Sequence, residues 1–449
     1  MKIILPSAVQ KALDILSGAG YEAFIVGGCV RDALMGIKPK DYDITTSAPP
    51  TKVMEIFSGC PVIETGLKHG TVTVIPDGMP LEITTYRTES AYSDHRHPDA
   101  VCFAHSLRED LSRRDFTMNA LAYHPHAGLM DFYGGQEDIR AGRIRCVGDP
   151  ALRFCEDALR IMRALRFSAV LGFEIDRDTL HAAIENKAML AHVSKERIAA
   201  ELTKLLCGKD VYRVLTDYTV ILGEILPELL SMRGFDQRNP HHIHDILTHT
   251  ALTVTHVPPT VVLRLAALFH DMGKPACFSI DKEGVGHFFG HAAVSAQIAD
   301  TVLQQLKFDN ATRHTVTELV RYHDIRMEPD EKAVKRMLNR FTPELFFDLL
   351  ALCRADNLSQ SPAYRDRQTV YDAMETLARR ILSEKQCFSR KDLALNGTDL
   401  LTLGVPPGMQ VGTVLQALLD AVINGDVPNE RSALTAYLQT AILSHEQKS

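Results

Sequence analysis

The stretch AFIVGGCVRDALMGIKPKDYDITTS, residues 23–47, restricts the possible folds of this chain more than any other. Phe24, Ile25 and Val26 form an apolar run that predicts a buried strand, and Gly27-Gly28 then opens the backbone. Cys29 to Leu34 predicts one or two turns of helix, and Asp41-Tyr42-Asp43-Ile44 a second strand. Residues two apart on a strand share a face, so the Asp41 and Asp43 carboxylates are expected to project together. Paired glycines at a strand-to-helix turn let main-chain amides approach a phosphate. Two carboxylates on one edge suit Mg²⁺ beside a nucleoside triphosphate. A lone Gly-Gly is ordinarily a turn, and a lone D-x-D a solvated strand end. Their succession, with Arg31-Asp32 between them, predicts nucleotidyl transfer.

At 449 residues the chain is expected to divide into two to four domains. Its 45% hydrophobic and 23% charged content is that of a soluble globular protein. No apolar run approaches the roughly 20 residues of a membrane span, and the N-terminus lacks a signal layout. A cytoplasmic protein with no membrane partner is expected. Nine cysteines without a C-x-x-C pair argue for reduced thiols and against a zinc ribbon. The net charge of −7 argues against a uniformly basic surface, so any nucleic-acid contact must come from a local stripe.

Thr71–Ile75 and Leu81–Tyr86 read as further strands, giving a small mixed sheet with few helices. A polar stretch follows from Arg87 to His105 and contains D-H-R-H-P at 94–98. Next comes EDLSRRDFTMNALAY, residues 109–123, crowding Asp110, Arg113, Arg114, Asp115 and Asn119 together. By itself such a run is a surface ion cluster. Residues 156–167, EDALRIMRALRF, place Asp157, Arg160, Arg163 and Arg166 three apart. On one helix that row drifts slowly around the surface, opposite Leu159, Met162, Leu165 and Phe167. A carboxylate beside a guanidinium offers an acceptor and a donor, enough to read the pairing edge of C or A without a template.

These motifs, G-G-x-V-R-D with D-x-D, R-R-D-x-T-x-N-A and E-D-x-x-R-x-x-R, resemble the bacterial CCA-adding tRNA nucleotidyltransferase and poly(A) polymerase family. That family belongs to the DNA polymerase β-like superfamily. The resemblance implies that Gly28 and Arg31 contact the incoming nucleotide and that Asp41 and Asp43 carry Mg²⁺. It implies that Arg114 contacts phosphate or sugar, and that Asp115 discriminates the ribose. Asp157 and Arg160 would select the base, with Arg163 and Arg166 supporting the phosphates. A third catalytic carboxylate is Asp110 or Glu82, and the residues leave both open. D-H-R-H-P is similar to the family's flexible loop, which accompanies addition of the terminal adenosine. VSKERIAAELTKLL, residues 193–206, is amphipathic with Ser194 as N-cap, and resembles the family's neck.

A second constellation runs His249, His270-Asp271, His291, His323 and Asp356. One buried histidine is ordinarily a core residue; the order H…HD…H…H…D is harder to assign to packing. Imidazoles and carboxylates together suit a transition metal, or a pair bridged by one aspartate, activating water on a phosphoester. The set resembles the HD superfamily of metal-dependent phosphohydrolases. That implies His249, His270, Asp271 and Asp356 at a first site holding Mn, Ni, Fe or Zn, and His291 and His323 at a second. Lys274 would neutralise a substrate phosphate. His241, His242, His244, His287 and Asp324 lie close enough in sequence to compete.

The expectation is an α+β head with a small mixed sheet at 1–150, then mostly α-helical parts. These are a neck at 151–235, an HD domain at 236–360 and a tRNA-binding body or tail at 361–449. Asn396-Gly397, Val405-Pro-Pro-Gly408 and Asn424-Gly425 mark its turns, and Thr413–Ile423 predicts a helix. The resemblance implies template-independent addition of CCA to tRNA from CTP and ATP. Within the family the alternatives are A-only addition, CC-only addition or poly(A) synthesis. Outside it, the alternative is a protein acting mainly as an HD phosphohydrolase on RNA ends or cyclic phosphates.

Overall fold

The computed structural model describes residues 3–64, 66–67, 70–89, 101–104 and 106–442. The D-H-R-H-P segment lies outside them. The chain packs as two compact units, Met1–Leu230 with Gln305–Lys307, and Ser231–Gln304 with Phe308–Ser449. The first covers most of the residues assigned above to head and neck, without a division between them. No helix among the described residues is long and apolar enough to cross a membrane.

In the first unit, helix α1 (Ser7–Gly18) precedes β1 (Ala23–Val26), α2 (Gly28–Leu34) and β2 (Asp43–Thr46). Then come α3 (Pro50–Ile56), β3 (Val62–Ile63), β4 (Thr71–Val74), β5 (Leu81–Thr85) and a short pair, β6 (Arg87–Glu89) with β7 (Val101–Phe103). Helix α4 (Leu107–Ser112), β8 (Leu121–His124) and β9 (Gly128–Asp131) follow. The main sheet has seven strands in the order β3-β4-β5-β2-β1-β8-β9. It is mixed, because β2 pairs with β5 in parallel and with β1 antiparallel. All four residues of β1 are buried, as its unbroken apolar run implies. Leu13, Leu16, Ile25, Ile44, Val72, Leu81 and Ile83 form one core layer, and Phe24, Val26, Tyr86, Leu111 and Ala122 a second.

Two details differ from the sequence reading. Strand β2 pairs only from Asp43 onward, so Asp41 lies in the exposed run leading into it. Strands β8 and β9 enlarge the small expected sheet. Strand β8 is buried on both faces and so shows no alternation to betray it.

The helical part of this unit begins with α5 (Gly135–Ala141), α6 (Pro150–Glu156) and α7 (Leu159–Leu171), followed by α8 (Arg177–Glu185) and α9 (Lys195–Leu206). Residues 156–167 are therefore not one helix. Asp157 has extended backbone, φ −144° and ψ 102°, and separates α6 from α7. Its carboxylate accepts from the Leu159 amide at 3.1 Å, a capping contact that satisfies an otherwise unpaired donor of α7. Helix α9 packs against α7 through its buried Ile198, Leu202 and Leu205.

The second unit is helical. Ile246–His256, Val261–Phe269, Asn310–Tyr322 and Pro343–Ser359 pack on one another. In Val261–Phe269 every residue from Leu263 to Phe269 is buried, so this helix is the centre of that bundle. Toward the C-terminus, Met409–Asn424 ends at Gly425 in the left-handed conformation, φ 79°. Leu400, Leu418, Leu419 and Leu434 form a separate core there.

Candidate functional site

Gly27 ends β1 with φ 77° and ψ −131°, a backbone region that only glycine adopts without strain. A methyl group added there would stand 3.0 Å from Arg114 Nη1, and one at Gly28 would stand 3.6 Å from Arg31 Nη2. Each glycine thus lies beneath one arginine. Arg31 is fixed by Asp32 at 2.7 Å and by Asn119 Oδ1 at 2.7 Å.

Beside this bend, Asp43 stands in register with Val26 on β1 and with Glu82 on β5. Registered partners project to the same face, so the Asp43 and Glu82 side chains lie together on the face opposite the buried Ile44 and Ile83. Burial and the Glu82 charge, with a smaller push from Asp41, raise the Asp43 pKa above the usual carboxylate range, against the pull of Arg114. Asp43 and Glu82, with Asp41 near enough to act on Asp43, are oxygen donors of the kind a hard divalent cation takes.

The two candidates for third carboxylate stand in different surroundings. Asp110 is fully buried. It accepts from Arg113 at 2.9 Å, Thr45 at 3.0 Å and the Arg87 amide at 3.3 Å, with Arg114 at 3.6 Å. Burial opposes ionisation, but Arg113 and Arg114 outweigh it and hold the Asp110 pKa low. Asp110 therefore anchors the two arginines, and Glu82 takes the place beside Asp43.

Asp115 accepts a forked pair from Arg163 at 2.5 and 2.8 Å, and also the Asn119 amide at 3.1 Å. Against the cost of burial, these partners lower its pKa to about 2. Arg166 pairs with Glu201 at 2.9 Å and lies 3.8 Å over the Phe167 ring, which Arg31 and Arg163 also approach at 5.1 and 5.5 Å. Asp157 and Arg160 each meet other side chains. Arg197 holds Asp157 at 2.7 Å, whereas Arg160 reaches Glu156 at 2.5 Å and the carbonyls of Arg153 and Arg113 at 3.0 Å. The sequence reading missed Arg197, Glu201 and Phe167. Its available signal was the i, i+4 spacing of Arg197 and Glu201 on one face of α9.

The second unit brings the other six predicted residues together. His249 comes from Ile246–His256, while His270 and Asp271 directly follow Val261–Phe269. His291 opens the helix His291–Gln305, His323 follows Asn310–Tyr322, and Asp356 lies within Pro343–Ser359. Asp271 Oδ2 lies 3.5 Å from His249 Nε2 and 3.2 Å from His270 Nε2; its Oδ1 lies 3.4 Å from His291 Nε2 and 3.7 Å from His323 Nε2. Asp356 Oδ1 is 2.8 Å from His249 Nε2.

Each of the four imidazoles turns Nδ1 to a main-chain carbonyl: Ser359 at 3.3 Å, Ala267 at 2.8 Å, Phe288 at 2.9 Å and Val320 at 2.7 Å. A carbonyl only accepts, so Nδ1 carries the proton and Nε2 points inward with its lone pair. The Nε2 atoms then face one another at 3.4 Å (His249 and His270) and 3.2 Å (His291 and His323). Two lone pairs so placed require a cation between them, either a proton or a metal. The two sets, His249-His270-Asp271 and Asp271-His291-His323, share one carboxylate, and this donor chemistry fits a metal pair.

Lys274 is buried, 2.7 Å from Asp271 Oδ2 and 3.0 Å from Gln237 Oε1. A cavity of about 280 Å³ reaches Asp271, Lys274, His291, His323 and Asp356. Of the competing residues, His287 pairs with Asp281 at 2.7 Å and the His241 ring lies tilted against Tyr364, centroids 3.9 Å apart. Burial, with the neighbouring Lys274, keeps His242 neutral by lowering its pKa to about 3.

Three family models match: the poly A polymerase head domain over residues 23–145, the probable RNA and SrmB-binding site of polymerase A over 172–232, and a putative tRNA nucleotidyltransferase domain 2 over 286–438. A CCA-adding enzyme of Geobacillus thermodenitrificans is 35% identical over 98% of this chain and 98% of its own. One from Lacticaseibacillus paracasei is 34% identical over 94% and 93%. The crystal structure of the Bacillus stearothermophilus CCA-adding enzyme in complex with CTP superimposes with a TM-score of 0.72 at 31% identity, covering 99% of this chain and all of that one. The Thermotoga maritima CCA-adding enzyme complexed with tRNA shares the fold, with a TM-score of 0.59 at 20% identity.

Proposed function

The chain belongs to the CCA-adding enzyme family, and from that premise we propose that it adds C, C and A to tRNA 3′ ends from CTP and ATP, releasing pyrophosphate. The observation that carries the reading is the acidic edge of Asp43 and Glu82, preceded by Asp41 and set beside the Gly27-Gly28 bend.

Asp41, Asp43 and Glu82 would hold Mg²⁺, which when bound supplies charge to activate the primer hydroxyl and to stabilise the leaving pyrophosphate. Gly27 and Gly28 leave room for the triphosphate, with Arg31 and Arg114 above them supplying donors. Asp115 keeps Arg163 and Asn119 oriented at the sugar end, with Arg166 nearby. Asp157 and Arg160, exchanging their present partners for the base, would read C or A.

The test is a tRNA lacking CCA, offered single labelled nucleotides and Mg²⁺. Successive incorporation of C, C and A supports the reading. A alone, CC alone or an A tract assigns one of the narrower activities, and no incorporation overturns it.

A second activity is favoured by the four imidazoles directed at Asp271. We propose that this centre is an HD-type phosphohydrolase. His249, His270, Asp271 and Asp356 would hold one divalent transition metal, and His291, His323 and Asp271 another. The pair when bound supplies an activated water for phosphoester hydrolysis. Lys274 orients Asp271 and adds positive charge at the cavity. Phosphate release from cyclic or terminal phosphates by Mn²⁺- or Ni²⁺-loaded protein tests it. A His270→Ala variant is expected to lose that release and keep nucleotide addition.

A further inference from the structure

We propose that Arg197 is a positioning residue for nucleotide selection, aiming the Asp157 carboxylate so that it accepts from an amino group and opposes a carbonyl. This rests on the reading of Asp157 and Arg160 as the base-selecting pair.

The inference begins with the backbone. Asp157 sits at the extended joint between α6 and α7; its amide bonds the Arg153 carbonyl at 3.4 Å and its carbonyl the Arg160 amide at 3.0 Å, which holds the main chain but leaves the carboxylate to turn. The terminal torsion of an aspartate is broad and does not fix it either. What fixes it are three contacts. Arg197 Nη2 donates to Oδ2 at 2.7 Å, Arg197 Nη1 to Oδ1 at 3.3 Å, and the Leu159 amide to Oδ1 at 3.1 Å.

Arg197 is itself well placed to aim. It stands in the first turn of α9, whose buried Ile198, Leu202 and Leu205 seat the helix against α7. One turn further on, Glu201 holds Arg166 at 2.9 Å. Helix α9 thus grips the nucleotide-selecting row at both ends.

A carboxylate offers about four lone-pair sites, so a fork on two of them leaves others for a ligand. Cytosine and adenine present an amino group where uracil and guanine present a carbonyl oxygen. A carboxylate held in one orientation accepts from the first pair and meets the second acceptor to acceptor, which is rejection through an unpairable contact. Released from the fork, the carboxylate turns away from the carbonyl and the repulsion is lost. Arg197 therefore acts on discrimination more than on rate.

The experiment uses the full-length protein and tRNA primers, with kcat and KM measured for CTP, UTP, ATP and GTP separately. CTP and UTP binding without turnover is measured by thermal shift. Arg197→Met is expected to reduce the CTP-over-UTP and ATP-over-GTP preferences by about tenfold or more, in binding as well as in kcat/KM. Arg197→Lys, which keeps a donor without the fork, recovers part of the preference. Lys187→Met, which breaks an unrelated ion pair with Glu224 at 2.8 Å, leaves it unchanged. If Arg197→Met does not fold, Arg197→Gln carries the same comparison. Equal loss of kcat for all four nucleotides at constant preference would make Arg197 merely structural and overturn the proposal. Preferences untouched by Asp157→Asn would instead overturn the base-reading assignment beneath it.

Discussion

Arg114 lies across Gly27 so closely that a side chain there would stand 3.0 Å from its Nη1, and the same glycine holds φ 77°, ψ −131°. Gly27→Ala is therefore doubly penalised, by backbone strain on the order of 1–3 kcal/mol and by displacement of the Arg114 guanidinium. The expected outcome is a lower melting temperature and loss of incorporation with CTP and ATP alike. An alanine variant with normal KM for both would remove the cradle from the mechanism.

The Asp43 carboxylate is costly to the fold, since burial and the Glu82 charge raise its pKa. The folded state then holds the proton more tightly than the unfolded chain. The ionised form costs stability as pH rises through the folded pKa, and the penalty vanishes below the ordinary value near 3.8. Asp43→Asn is expected to abolish incorporation yet melt higher than the parent at pH 7. The difference should shrink on acidification and also when Mg²⁺ stabilises the parent. Melting curves at several pH values, with and without Mg²⁺, check this. A less stable Asn variant would contradict it.

Asp115 runs the opposite way. Its pKa of about 2 means that its partners stabilise the fold above the ordinary carboxylate range. That contribution disappears as pH falls from about 4 through 2. Asp115→Asn should cost on the order of 2 kcal/mol at pH 7, with the difference from the parent fading in acid. Urea unfolding across that range measures it.

Asp271 presents one oxygen to each imidazole pair. Replacing it by Asn should cost binding at both metal positions at once, whereas His323→Ala should spare the first. Elemental analysis after reloading with Mn²⁺ or Zn²⁺ is expected to give about two ions per chain for the parent. A parent that binds none would leave the centre a proton-held cluster. Nucleotide addition should survive both substitutions, because Asp271 and His323 belong to the second unit and the acidic edge to the first.

Much of this was legible in the residues because each signal was local. Gly27-Gly28 followed by Asp43 is a strand-turn-helix-strand written in 25 residues. The H…HD…H…H…D order is readable because the ligands sit on or beside successive helices of one bundle, with His270 and Asp271 sharing one. What was not legible depended on tertiary partners. The three-residue row begins at Asp157 itself, so nothing in its periodicity marks the end of α6 there. Asp110 and Glu82 read alike until the parallel register of β2 and β5 sets one beside Asp43 and the arginines bury the other. Arg197 looked like an ordinary first-turn charge until it met a carboxylate 40 positions earlier.

The joint at Asp157 has a mechanical meaning. A carboxylate in the middle of a helix travels only when the whole rod travels. One that stands on a two-residue link between rods keeps its main chain bonded on both sides, amide to Arg153 and carbonyl to Arg160, and moves by turning its side chain. A change of aim at Asp157 then asks for rotation of one side chain, rather than for repacking of the domain around it.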